Sequence, residues 1–380
     1  MARTCRDIAK HLPDSCGAMV VIPLYASLPP AQQLRVFQPG SRKVILSTNV
    51  AETSVTISGI KFVIDTGMVK AKRFNPDSGL EVLAVQRVSK AQAWQRAGRA
   101  GREDSGSCYR LYTEEEFDNL IPMTVPEIQR CNLAGVMLQL MALGIPDVMN
   151  FDFVSKPSPE AVRSAVDHLE LLGAREEGWP GWTHRSGEKM ANFPLEPRYA
   201  KTILLSPDFS CSEEVLTIVS LLSVDTVLYN PPARRDDVLA ARKKFMSSEG
   251  DHMTLLNIYR AFKKVGGNKE WCRENFVNSR NMGLVKEVQA QLKKSLESCG
   301  SDTGSVRRCL AHGMFVNAAE LQPDGSYVAL DGRQPPAYVV FNELLHTSRC
   351  YMRDVCLVDA DWLLDAAPEY FARKLHLGKS

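Results

Sequence analysis

The chain has 380 residues, of which 44% are apolar and 24% charged, and its formal net charge is +2 at pH 7. This length allows two to four domains with sizeable cores, and the composition excludes a disordered tail. The ten cysteines are scattered without a CxxC pair and the seven histidines are dispersed, which favours reduced thiols and argues against a metal site. No apolar run approaches the roughly 18 residues of a membrane span and no signal peptide opens the sequence, so we expect no membrane association and a nuclear or cytosolic protein.

The first third alternates short β-branched runs with amphipathic segments. Residues 19–24, 43–47 and 60–66 read as buried strands, and apolar residues at helical spacing precede them at residues 5–12. This alternation predicts a parallel α/β sheet. Two further strands between residues 69 and 88 flank an Asn-Pro-Asp-Ser-Gly turn, which predicts a β-hairpin.

A hydroxyl-rich loop follows the second strand at residues 47–57. Open α/β sheets place their ligands outside the carboxyl ends of the strands, so this loop could hold phosphates of a nucleotide or a nucleic acid. The alternative is an ordinary loop whose side chains bind their own backbone.

An arginine-rich run occupies residues 95–102, within a predicted helix that Ser89 is expected to cap. It spaces three guanidiniums at Arg96, Arg99 and Arg102 and carries Gly98 and Gly101, which we interpret as interior helix glycines that let a ligand approach the backbone. Residues 61–102 hold nine basic and three acidic side chains, which favours a polyanionic partner over a merely solvated helical face.

From residue 126 onward the pattern is helical. An apolar stripe ends at Gly144, and Ser158 with Pro159 starts another helix, which fits a small helix-turn-helix-like domain. Residues 191–298 predict a helical bundle, and short strands after Gly300 predict a small β-barrel.

Candidate caps within the predicted bundle are Ser212, Asp251 and Asn268. For His252, which follows Asp251, a capping and packing role is favoured over catalysis.

Several segments of the chain resemble the DEAH-box RNA helicases. Residues 24–30, 47–67 and 95–102 are similar to the family's motifs IV, V and VI, and residues 126–133, 193–197, 250–256 and 367–371 to its C-terminal region. The resemblance implies a multidomain α/β, α and β architecture: a RecA-like parallel-sheet lobe at 1–123 that is N-terminally incomplete and carries the hairpin at 69–88, a winged helix at 124–190, a helical ratchet bundle at 191–298, an OB-fold at 299–371 and a tail at 372–380.

The resemblance also implies roles for individual residues. Arg99 and Arg102 would be arginine fingers, and Gln95 would orient the attacking water or the γ-phosphate. Met68 and Ser58 stand at nucleotide-binding positions where the family often has an aromatic residue and an aspartate. The residues implied to bind RNA are Ser27, Thr48, Asn49, Lys70 and Lys72.

The implied cofactors are ATP and Mg²⁺, bound mainly by a first RecA-like lobe that this sequence lacks. No GxxxxGK[ST] loop and no Asp-Glu-Ala-His tetrad occur, so we expect the chain alone to be inactive as a nucleoside triphosphate hydrolase. The implied partners are RNA, the first lobe and a G-patch-type activator, and the implied location is the nucleus, in particular the nucleolus, with the cytoplasm as a further site.

The sequence departs from the family pattern at the wing, around residues 179–182, and near residues 331–338, where the OB-fold is expected to lack a segment. Two other interpretations stay open. The chain could be a non-enzymatic RNA-binding or partner-recruiting module that regulates the full-length helicase, or a fragment without a stable function.

Overall fold

A computed structural model describes residues 7, 10, 11, 19–25, 28, 30–39, 42–75, 80–145, 147–174, 185–224, 226–231, 234–293, 303–321, 337–346 and 350–374. The chain divides into two compact units. The first unit comprises residues 1–71 and 84–125, and the second unit comprises residues 72–83 and 126–380.

The described part of the chain contains both β-strands and α-helices. The strands are β1 (Met19–Leu24), β2 (Arg42–Ser47), β3 (Phe62–Asp65), β4 (Met68–Asn75), β5 (Leu80–Arg87), β6 (Ser107–Arg110), β7 (Ala318–Glu320), β8 (Tyr338–Val340), β9 (Glu343–His346), β10 (Cys350–Arg353) and β11 (Cys356–Leu357). The helices are α1 (Pro30–Gln33), α2 (Val50–Thr53), α3 (Lys90–Ala97), α4 (Glu114–Asp118), α5 (Ala134–Ala142), α6 (Pro159–Leu171), α7 (Arg185–Ala191), α8 (Pro197–Leu205), α9 (Ser212–Ser223), α10 (Arg235–Arg242), α11 (Asp251–Lys264), α12 (Lys269–Glu274), α13 (Ser279–Lys293), α14 (Thr303–Met314), α15 (Ala360–Ala366) and α16 (Pro368–Lys374). Within these ranges, no helix has both the length and the apolar character that a bilayer crossing requires.

Four strands of the first unit form two separate parallel pairs, whose direction agrees with the alternation of strands and amphipathic segments. β1 pairs with β2, starting with Met19 opposite Arg42, and β3 pairs with β6, starting with Phe62 opposite Ser107. The predicted strands agree with β1, β2 and β3 to within about two residues at each end. The carboxyl ends of these strands therefore carry the loops that the sequence marks as candidate ligand sites.

The predicted hairpin forms from β4 and β5, and its turn, residues 76–79, lies outside the described residues. The hairpin is divided between the two units, whereas the prediction assigns all of it to the lobe at 1–123. Residues 72–83 group with the second unit, where the sheet order runs β10, β9, β5, β4.

After residue 126, the second unit contains α5 and α6 at the positions of the predicted winged helix. Gly144 ends the α5 turn with φ of +77°, a conformation that favours glycine. Ser158 caps α6 by accepting a hydrogen bond from the Ala161 amide at 3.1 Å. The wing at 179–182 lies outside the described residues.

One of the three predicted helix caps of the bundle is confirmed. The Asn268 side chain accepts bonds from the Glu270 and Trp271 amides at 2.8 and 3.0 Å. The predictions for Ser212 and Asp251 are wrong, because these residues lie inside their helices without a side-chain cap.

Tertiary partners account for both wrong cap predictions. The hydroxyl of Ser212 accepts a bond from Ser206, and the carboxylate of Asp251 accepts one from the Val355 amide. The capping role considered for His252 is also wrong, whereas its packing role is confirmed by a residue exposure of 0%.

The C-terminal part starts with a helix, α14, that precedes the first of the predicted strands. α14 precedes β7, and its Val306, Cys309 and Leu310 are buried in the largest core because they recur at helical spacing. β8 then pairs antiparallel with β7 on one side and β11 on the other. Residues 322–336 lie outside the described ranges, and α16 extends to Lys374, into the predicted tail.

Candidate functional site

The hydroxyl-rich loop leaves β2 at its carboxyl end in the first unit. The Thr48 amide bonds the Leu24 carbonyl at 3.2 Å, which ties this loop to the end of β1. Thr48 and Asn49 are both exposed. Asn49 occupies the N-cap position of α2, yet its side chain makes no capping bond.

The helix α3 starts as predicted and ends earlier than predicted. Ser89 and Gln92 form a capping box, with the Gln92 amide 3.2 Å from the Ser89 hydroxyl. The helix ends at Ala97, and Gly98 is its C-cap. Gly98 and Gly101 therefore lie in the turn after the helix, and the interpretation of both as interior helix glycines is wrong.

Arg96 points into its own unit, which corrects the expectation that all three guanidiniums of the run reach outward. Its side chain is 14% exposed and pairs with Glu52 at 2.9 Å and Asp65 at 2.8 Å. It also donates to the Met68 carbonyl at 3.1 Å. Burial opposes the charge of Arg96, but the bonds to Asp65 and Glu52 outweigh it and raise its pKa.

Arg99 and Arg102 lie against the end of α2 and the segment that follows it. Arg99 is half-buried and donates to the carbonyls of Val55, at 3.1 Å, and Glu52. Arg102 is exposed and donates to the Thr56 hydroxyl at 3.1 Å. Partial burial and the nearby positive charge of Arg102 lower the pKa of Arg99. The pair thus concentrates two positive charges at the hydroxyl-rich loop.

The remaining site predictions in the first unit fall on exposed residues. Gln95, Ser58 and Lys70 are exposed, and Met68 is 39% exposed at the start of β4. Ser27 lies outside the described residues.

Asp65 and Tyr112 join the site without having been predicted from the sequence. Asp65 accepts bonds from Arg96, from the Gly67 amide at 2.9 Å and from the Tyr112 hydroxyl at 2.8 Å. Burial alone would raise the pKa of Asp65, but these bonds lower it. Burial and the bond to Asp65 raise the pKa of Tyr112 to about 12. The position of Asp65 at the end of β3 was the only available signal.

The second unit contains a cavity of about 950 Å³, lined in part by the predicted RNA-binding residue Lys72. Its three basic wall residues each have an acidic neighbour. Lys72 lies 3.8 Å from Glu81, Arg198 lies 2.9 Å from Glu196, and Arg353 lies 3.0 Å from Glu343. The wall also includes Asp251 and Asp354, so its acidic side chains outnumber its arginine and lysine side chains.

His252 is fully buried in the second unit, and His168 is half-buried and lines the cavity. Both ring nitrogens of His252 and the Nε2 atom of His168 have no hydrogen-bond partner within the described part of the chain. Burial lowers the pKa of each imidazole to about 4, and the charge of Arg198 contributes. Both side chains are therefore neutral at pH 7. Across the same residues, no group of three or more His, Cys, Asp or Glu side chains could hold a metal ion.

Three domain families match separate parts of the chain. The helicase conserved C-terminal domain matches residues 1–104. The helicase associated domain (HA2), ratchet-like, matches residues 196–255, and the oligonucleotide/oligosaccharide-binding (OB)-fold matches residues 306–370.

Similar proteins occur in animals and plants. The ATP-dependent RNA helicase DHX33 of Homo sapiens is 64% identical over 404 residues, which cover 100% of this chain and 57% of that protein. DHX33 of Mus musculus is also 64% identical, with 58% of its length covered. The pre-mRNA-splicing factor ATP-dependent RNA helicase DEAH10 of Arabidopsis thaliana is 40% identical over 406 residues, which cover 97% of this chain and 56% of that protein.

The chain spans a little more than half the length of these relatives. Because the human alignment is 404 positions long and this chain has 380 residues, that relative also has residues within the aligned region that this chain lacks.

Proposed function

The chain belongs to the DEAH-box helicases, of which it carries the C-terminal region, and on that premise we propose that it binds single-stranded RNA and supplies arginine fingers for ATP-driven unwinding. The observation that carries the proposal is the position of Arg99 and Arg102 against residues 52–56. Two guanidiniums at the carboxyl end of a parallel sheet suit a polyphosphate.

The residues present fit a nucleotide. The exposed guanidinium of Arg102 makes one bond, to a hydroxyl, and so keeps donors for a phosphate. Arg99 would complete the charge, and Gln95 would orient a water molecule beside it. The exposed thioether of Met68 can pack against a purine, with Ser58 as a polar neighbour of the nucleotide. ATP bound with Mg²⁺ supplies the phosphoryl transfer that drives movement on RNA.

RNA would be held through its backbone and through stacked bases. In the first unit, Thr48 and Asn49 offer neutral donors and Lys70 a positive charge to the phosphates, an arrangement that recognises single strands without reading their sequence. In the second unit, the exposed side chain of Lys72 would offer a further positive charge to the RNA backbone. Ser27 remains a predicted RNA contact.

The RNA-binding part of the proposal is tested by titrating the chain with a fluorescein-labelled oligouridylate at several salt concentrations. Affinity should fall steeply with salt, with a slope of about 0.7 for each phosphate contact in single strands. Lys70→Ala should lower the slope by about that amount. Lys61→Ala is the matched control because Lys61 is already paired with Asp104. A parent chain that binds no RNA at low salt would refute the proposal.

The nucleotide part is tested by measuring ATP hydrolysis. The sequence contains no phosphate-binding loop, so we expect no turnover from the chain alone and RNA-stimulated turnover when a separately made first lobe is added. Arg102→Ala should abolish the stimulated rate. Equal rates for Arg102→Ala and the parent would remove the arginine-finger assignment and leave the alternative, a non-enzymatic RNA-binding or partner-recruiting module.

Location and further partners are also part of the proposal. We expect the protein in the nucleus and nucleolus, with a cytoplasmic fraction, and a G-patch-type activator on the winged-helix and OB surfaces. A fluorescent fusion observed in cells tests the location, and a pull-down with purified G-patch peptides tests the partner.

A further inference from the structure

Arg96 is the side chain of the arginine-rich run that connects the most segments. Its Nε atom donates to Glu52, its Nη1 atom to Asp65 and its Nη2 atom to the Met68 carbonyl. These three partners belong to α2, to the end of β3 and to the start of β4. One rigid fork thereby fixes three pieces of backbone that are far apart in sequence.

The position of α2 depends on this fork. A helix of four residues has little stability of its own, and α2 directly follows the exposed Thr48 and Asn49. The carboxylate of Glu52 is 5% exposed and is bonded by Gln92 at 3.1 Å and by Arg96 at 2.9 Å. Because a buried carboxylate without a positive partner is strongly destabilising, α2 would shift if the guanidinium were lost.

The start of β4 depends on the same fork. Arg96 holds the Met68 carbonyl directly, and it holds Asp65, which also receives the Gly67 amide. Met68 and Lys70 are exposed while Val69 between them is buried, so Met68 and Lys70 share one face of the strand. By holding the backbone at Met68, Arg96 therefore fixes the direction of the strand at Lys70, two residues later.

We infer that Arg96 is a positioning residue, which places Thr48 and Asn49 on one side and Lys70 on the other in the fixed relation that RNA binding requires, without touching RNA itself. This inference rests on the proposed function. The low exposure of Arg96 and its bonds to two buried carboxylates leave its charge neutralised within the unit. A phosphate would find no net positive charge there.

The salt dependence of RNA binding separates a positioning role from direct contact. Arg96→Lys keeps the positive charge, but a lysine ammonium cannot reproduce the three hydrogen bonds that the planar guanidinium donates in a fixed geometry. With the labelled oligouridylate as probe, we expect affinity to fall about tenfold with an unchanged salt slope, because the phosphate contacts become misaligned while their number stays the same. Arg87→Lys is the matched control, since Arg87 is half exposed and pairs with Glu116 at the surface.

A second variant guards against simple unfolding. Glu52→Gln keeps the shape of the side chain and should weaken RNA binding in the same direction. The double variant Arg96→Lys/Glu52→Gln should bind about as weakly as Arg96→Lys alone, because both changes break one shared contact. Circular dichroism and thermal unfolding at the assay temperature check that each variant is folded.

Three results would overturn the inference. A slope reduced by about 0.7 in a folded Arg96→Gln variant, which removes the positive charge that Arg96→Lys keeps, would mean that Arg96 contacts a phosphate. Unchanged affinity in folded Arg96→Lys and Glu52→Gln variants would mean that the cluster only stabilises the fold. A parent chain that binds no RNA would remove the proposed function and the inference together, whereas the first two results remove the inference alone.

Discussion

The substitution Gly313→Ala should destabilise the second unit, although alanine is the better helix former. Gly313 lies in α14, where replacing glycine by alanine ordinarily gains about 1 kcal/mol. A Cβ atom on Gly313 would lie 1.8 Å from the Oγ1 atom of Thr202, 2.8 Å from its Cβ atom and 3.1 Å from its Cα atom. Thr202 belongs to α8 and is fully buried, so α8 and α14 would have to separate.

The expected magnitude follows from two opposing contributions. Overpacking of a well-packed core costs roughly 1–3 kcal/mol, and a contact this short, with backbone involved, belongs at the upper end. After the gain in helix propensity, we expect a net loss of about 2 kcal/mol in the free energy of unfolding. This corresponds to a melting temperature roughly 4–8 °C lower.

The assay is differential scanning calorimetry of the whole chain, with Gly283→Ala as the matched control. Gly283 also lies in a helix, α13, and a Cβ atom there would have no neighbour within 4 Å. Its substitution should raise stability by up to about 1 kcal/mol. In the double variant Thr202→Ala/Gly313→Ala the closest contact is absent, so the combined loss should be smaller than the sum of the single losses.

A Gly313→Ala variant as stable as Gly283→Ala would refute the close approach of α8 and α14. Strictly additive effects of Thr202→Ala and Gly313→Ala would refute the identity of the clashing atom.

Three further outcomes are expected. The pKa of His252 is about 4 in the folded chain and near 6.5 in the unfolded chain, so the folded chain keeps its full stability above pH 6.5 and loses it as the pH falls toward 4 and the unfolded chain takes up a proton. In urea unfolding between pH 7 and 5, the free energy of unfolding of the parent should therefore fall by roughly 2 kcal/mol more than that of His252→Phe. Gly266 has a φ of +63° and open space around a Cβ atom, so Gly266→Ala should lower the free energy of unfolding by about 1–2 kcal/mol. Gly250 has a φ of +127°, and a Cβ atom there would lie 2.5 Å from a backbone oxygen, so Gly250→Ala should lower it further. Equal melting temperatures for the two variants would contradict this. Asn268→Ala should lose about 1 kcal/mol of stability with its two capping bonds, whereas Asn49→Ala, at an N-cap without a capping bond, should leave the melting temperature unchanged and weaken RNA binding.

Local patterns in the sequence predict the local structure well. The helix cap at Ser89 and the start of α6 at Ser158 follow from short-range rules, and both form as expected. The parallel strands follow from β-branched runs, because a strand buried on both faces is apolar throughout. The candidate ligand loop is likewise placed by the end of β2.

Contacts between distant residues explain what the sequence could not predict. The spacing of the arginine run describes Arg96, Arg99 and Arg102 alike, yet only Arg96 meets two carboxylates, 44 and 31 residues earlier in the chain. Asp251 has the composition of a helix cap, but the Val355 amide, 104 residues away, takes its carboxylate. A one-dimensional pattern carries no information on such partners, so it identified the loop and the run without separating Arg96, which is paired with two carboxylates, from Arg99 and Arg102.

The assignment of residues 72–83 to the second unit has a practical consequence for dissecting the protein. The polypeptide changes unit after Ala71, Leu83 and Val125, so no single cut yields two autonomous pieces. A recombinant fragment that starts at Pro126 would lack the strand beside Glu343–His346 and would present a bare sheet edge, which invites aggregation. Expression boundaries for the C-terminal half should therefore keep the hairpin, or graft its outer part back as a short insertion.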